Sequence, residues 1–129
     1  MDNIFSVLEH FPSDLKNCFL SFDVSVLSKI TEIRLRVNKP IVIYILDKPF
    51  FISKYDKLIN HYLNDCRFIS DDEFIFILDS FCNNSYHTNM QTMIDGYVTD
   101  KFGSRIGIAG EAVYKNNLIS SVKNISSLN

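Results

Sequence analysis

Apolar residues recur at helical spacing twice at the start of the chain. Ile4, Val7, Leu8 and Phe11 form one set, Leu15, Cys18, Phe19 and Phe22 the next, and Pro12 separates them. This spacing predicts two short amphipathic helices, with a further helical turn from Val24 to Ile30. The period then falls to two, with Ile33, Leu35 and Val37 alternating against Glu32, Arg34 and Arg36, as in a strand with one wet face. Asn38, Lys39 and Pro40 read as a turn. Ile41 to Leu46 is apolar on both faces, as expected of a central strand. Asp47, Lys48 and Pro49 predict another turn, and Phe50 to Ser53 a third short strand, which together make an antiparallel meander. Lys54 to Cys66 reads equally well as helix or loop.

Ser70, Asp71, Asp72 and Glu73 spell a capping box, with Ser70 as N-cap and Glu73 at the third helical position. Phe74, Ile77, Leu78 and Phe81 line one face of the helix that follows. Asn83, Asn84 and Ser85 interrupt it, and a second helix is expected from about Ser85 to Ile94, ending at Gly96. All four glycines, Gly96, Gly103, Gly107 and Gly110, lie in the strand-like run after that point. Val113 and Tyr114 continue the run, Asn116 and Asn117 predict a hairpin turn, and Leu118 to Leu128 returns as a last strand. The pattern is unfinished at Asn129, as expected of a piece of a longer protein.

The expected fold class is therefore α/β of the α+β kind. Residues 1–30 form a helical lead-in, and residues 31–129 form an antiparallel sheet with helices packed on one face. A length of 129 residues suits one domain, and 47% hydrophobic against 22% charged residues is the balance of a folded chain. A net charge of −2 with scattered basic residues lacks the positive field that draws nucleic acid, so no nucleic-acid partner is expected. The longest apolar run, six residues, is far short of the roughly 20 that cross a bilayer, and no leader-like segment opens the chain. Neither membrane insertion nor export is expected. Cys18, Cys66 and Cys82 are widely spaced and odd in number, which suits buried thiols in a reducing compartment.

Candidate chemistry is sparse. Gly103, Gly107 and Gly110 give G-x-x-x-G-x-x-G, which is neither a dinucleotide fingerprint nor a Walker A loop, and no Lys-Ser or Lys-Thr pair follows. The four glycines are read as structural, permitting a bulge, a tight hairpin or close backbone packing. Arg34, Arg36 and Arg105 fall on predicted strands, where a guanidinium could clamp a phosphate or carboxylate, although solvated strand faces carry arginine routinely. Arg105 stands first among them because glycines flank it. His10, His61 and His87 show no metal-ligand spacing with one another or with a cysteine, so no metal is expected. A nucleophilic pair of Cys82 and His87 has no local support. No catalytic residue is assigned.

Two segments, EIRLRVNKP at 32–40 and GYVTDKFGSRIGIAGEAV at 96–113, together with the terminal NISSLN, resemble the N-terminal part of the stage III sporulation protein AA family of endospore-forming Firmicutes. The resemblance implies a PAS-like domain preceding a RecA-like ATPase domain, akin to the motors of type II and type IV secretion and type IV pili. The motor, with its Walker elements, ATP and Mg, would lie outside this chain, so this chain is expected to be non-enzymatic and free of cofactor. Further implications are a homo-hexameric ring, contacts with other stage III A channel proteins, and a cytoplasmic, mother-cell position peripheral to the engulfed forespore membrane. Arg34, Arg36 and Arg105 would then be candidates to reach nucleotide in trans. An alternative is a freestanding PAS-like sensor with a pocket lined by some of the eleven Phe, and single-stranded nucleic-acid binding is a third.

Overall fold

The computed structural model describes residues 4–82, 96–99, 105–115 and 118–128. The expected helix at 85–94, His87, Gly103 and the Asn116–Asn117 turn lie outside the described residues. Three short helices open the chain: α1 (Ile4–Leu8), α2 (Ser13–Leu20) and α3 (Val24–Leu27). Strands β1 (Ile30–Arg36), β2 (Val42–Ile45), β3 (Lys48–Ile52) and β4 (Leu58–Ile59) come next, followed by α4 (Asp71–Cys82). Strands β5 (Tyr97–Thr99), β6 (Arg105–Lys115) and β7 (Leu118–Leu128) complete the order.

The strands form one antiparallel sheet in the order β4-β3-β2-β1-β7-β6-β5. Helices are packed on one face of it, which makes the class α+β. Leu35, Ile41, Ile43 and Ile52 from the sheet share a core with Leu8 of α1, Leu15 and Phe19 of α2, and Leu27 of α3. Phe74, Ile77, Leu78 and Phe81 of α4 join the same core, on the face that the periodicity predicted. Phe11, Phe19 and Phe22 meet edge to face with centroids 5.4 and 5.6 Å apart. Phe11 and Phe19 are buried, where each contributes about 1.5–3 kcal/mol, and Phe22 packs partly buried against them.

Pleating puts alternate residues of β1 on opposite faces, so Leu35 enters the core while Glu32, Arg34 and Arg36 take the other side. The turn between β2 and β3 differs from expectation. Ile45 pairs with Lys48, so the turn is Leu46–Asp47, and both of its residues have positive φ, 49° and 66°. Lys48 and Pro49 are already strand. A two-residue hairpin needs left-handed backbone to match strand twist, and that requirement moved the turn onto Leu46, which carries no turn signal.

The stretch Lys54 to Cys66 is loop with the two-residue strand β4 inside it. Its organiser is Ser53, whose Oγ accepts from the N–H groups of Tyr55 and Lys57, both at 3.2 Å. The Ser53 N–H itself donates to the Lys57 carbonyl at 2.7 Å. Among the described residues no helix is long and apolar enough to cross a membrane.

Candidate functional site

The face of the sheet turned away from the helices carries the residues with most chemical potential. Glu32 lies opposite Tyr44, and Arg34 opposite Val42, in the β1–β2 ladder. Arg34 donates from Nε to Glu32 Oε2 at 3.0 Å, and its Nη2 is 2.9 Å from the same oxygen. The guanidinium carbon sits 5.1 Å from the centre of the Tyr44 ring, within cation–π range. Thr31 Oγ1 donates to the Tyr44 carbonyl at 3.1 Å beside a register shift between Ile30 and Glu32. Arg34 is thus laid along the sheet and held by a carboxylate two residues before it.

Arg36 continues the same face, is exposed, and stands opposite Ser127 of β7. Arg105 is the first residue of β6, opposite Thr99 of β5. Leu35, Leu128 and Ile108 form a row across β1, β7 and β6. The Arg105 backbone is therefore two strand spacings, about 10 Å, across from β1 and three residues, about 10 Å, along from that row. The fold places Arg34 and Arg36 together and Arg105 apart from them.

Gly96 has φ of 93°, a left-handed position that favours glycine, just before β5. Gly107 pairs with Tyr97, and Gly110 lies where the β6–β7 register shifts between Ala109 and Glu111.

A second polar cluster ties the start of α4 to the sheet. The Ser70 N–H donates to Glu73 Oε1 at 3.0 Å, and the Glu73 N–H donates to Ser70 Oγ at 3.2 Å, completing the capping box. Arg67 adds a bond from Nη2 to Glu73 Oε2 at 2.7 Å. Burial pushes the Glu73 carboxyl up, but the bonds from Arg67 and Ser70 prevail and hold it below the usual carboxylate range. Nearby, Cys18 Sγ is 3.5 Å from Asp56 Oδ1. Burial first, and the Asp56 charge second, push the Cys18 thiol up to about 12, which keeps it protonated and unreactive.

His10 is buried, stacked on Phe81 at 3.9 Å, with Nδ1 2.7 Å from Ser80 Oγ, so it links the turn after α1 to α4. Sequence reasoning missed the Arg67–Glu73 and His10–Ser80 pairs. Arg67 precedes the N-cap, outside any helical spacing, and Ser80 is 70 residues from His10. No group of three or more potential metal-ligating side chains forms a site among the described residues.

No solved structure matches the chain. Among curated proteins it is similar to stage III sporulation protein AA of Bacillus subtilis (strain 168), with 25% identity over 123 residues. That alignment covers 95% of this chain and 36% of the relative, so the chain spans about a third of the relative's length. The profile of the family described as "Sporulation stage III, protein AA" matches residues 6–129. With that match running through both arginine-bearing strands and nearly the whole sequence, the chain belongs to the sporulation stage III protein AA family.

Proposed function

We propose that this chain is the N-terminal, non-catalytic assembly and regulatory domain of a longer sporulation ATPase that energises a secretion-like channel between mother cell and forespore. The observation that carries the reading is the family match over residues 6–129 beside coverage of only 36% of the relative. The chain also lacks phosphate-loop spacing in its one glycine-rich region. In this reading ATP and Mg belong to a RecA-like domain beyond these residues. The domain's partners are that motor, neighbouring copies in a homo-hexamer, and other stage III A channel proteins. It acts on the cytoplasmic, mother-cell side, peripheral to the forespore membrane.

Arg34, Arg36 and Arg105 are the groups with which the domain would stabilise phosphate charge on a motor subunit. Two results test this. The longer protein should contain G-x-x-x-x-G-K-[ST] after the region matching Asn129, and its absence overturns the reading. In that protein Arg105→Ala, Arg34→Ala and Arg36→Ala should each lower ATP turnover with unchanged circular dichroism. Unchanged turnover in all three removes the arginines from the mechanism.

A further inference from the structure

The geometry points to Glu32 as an internal plug on an oxyanion site formed by Arg34 and Arg36, with Tyr44 as its floor. This deepens the role proposed above for the arginines, and it names a residue that the role did not include. Arg34 Nε donates to one carboxylate oxygen of Glu32 at 3.0 Å, and Nη2 forms an ion-pair contact with the same oxygen at 2.9 Å. Carboxylate and phosphate oxygens compete for the same guanidinium fork, so Glu32 occupies the place an incoming oxyanion would take.

The plug is held weakly. The side chains of Arg34 and Glu32 remain 36% and 34% exposed, and pairs this open shift an equilibrium by about fivefold at most. Tyr44 lies beneath the Arg34 guanidinium, so the cation keeps a ring contact as the carboxylate swings aside. Arg36 lies two residues on along the same face, about 7 Å away by strand rise, and makes no ion pair among the described residues. An oxyanion carrying several charges can therefore engage both arginines, which a single Glu32 carboxylate two residues before Arg34 does not do. The chemistry selects a polyphosphate over a monovalent anion, because two guanidinium groups on one strand face reward charge spread over several oxygens.

The test uses the 129-residue chain alone, so it does not depend on any ATPase activity. Inorganic tripolyphosphate is titrated at fixed ionic strength while the arginine Nε–Hε resonances are followed by NMR. Glu32→Gln should tighten binding by about threefold to fivefold. Asp14→Asn, which removes the same charge from an exposed position on α2, should not. Arg34→Ala should abolish both the binding and the gain, so that Glu32→Gln has no effect in its presence. Equal binding by Glu32→Gln and the unsubstituted chain, or a gain that survives Arg34→Ala, overturns the proposal. Either failure leaves the family reading intact, whereas loss of that reading by the sequence criterion above leaves this oxyanion site standing.

Discussion

Arg67 Nη2 lies 2.7 Å from Glu73 Oε2, while the other Glu73 oxygen accepts the Ser70 N–H, so one carboxylate caps α4 and anchors it to the sheet. Both side chains of the ion pair are more than three-quarters buried, at 24% and 21% exposure. Removing one partner leaves the other poorly solvated. Glu73→Ala should therefore cost about 1–3 kcal/mol in denaturant unfolding. Far-UV circular dichroism is the suitable probe, since the chain has no Trp.

The same residue sets a pH dependence. A carboxyl held low in the folded state contributes stability that is fully present above the unfolded Glu value, about 4.3, and lost as pH falls through the lower folded value. The stability difference between the unsubstituted chain and Glu73→Gln should be largest near neutrality. It should shrink as the pH falls below the unfolded Glu value, about 4.3. A difference that stays constant across that window would show that Glu73 is not the titrating contributor.

Leu46 and Asp47 both hold left-handed backbone, at φ of 49° and 66°. Leucine is costly there, whereas Asn-Gly adopts this turn readily. The double substitution Leu46→Asn with Asp47→Gly should stabilise the domain by about 1 kcal/mol, seen as a higher unfolding midpoint. A lower midpoint would mean that exposed Leu46 contributes more through contacts than the turn costs.

Cys18 is pushed up to about 12 and Cys82 to about 11, by burial first and then by the charges of Asp56 and Asp79 respectively. At pH 8 both should resist a thiol-specific reagent in the native state and react once denaturant is added. Rapid native labelling of Cys18 would contradict its burial on the inner face of α2 beside Asp56.

Legibility in the sequence followed the physics of each element. The α4 capping box and apolar face were readable because both depend on spacing within one helix. The β1 alternation was readable for the same reason, and it placed Arg34 and Arg36 on the face away from the core. The Leu46–Asp47 turn was not, because strand pairing on either side dictated it against local preference. The loop after β3 hid its order in one hydroxyl, Ser53, which leaves no periodic trace. The Arg34–Glu32–Tyr44 arrangement was half visible. Alternation aligned Glu32 with Arg34, but only the β1–β2 register brought in Tyr44.

ATP turnover by three proteins tests the proposal most directly: this chain alone, the longer protein proposed above, and that longer protein lacking the region matching residues 6–129. A non-catalytic domain that assists a separate motor gives no turnover by the chain alone, turnover by the longer protein, and a lower rate once the domain is removed. Turnover by the chain alone, or an unchanged rate after its removal, would contradict the proposal.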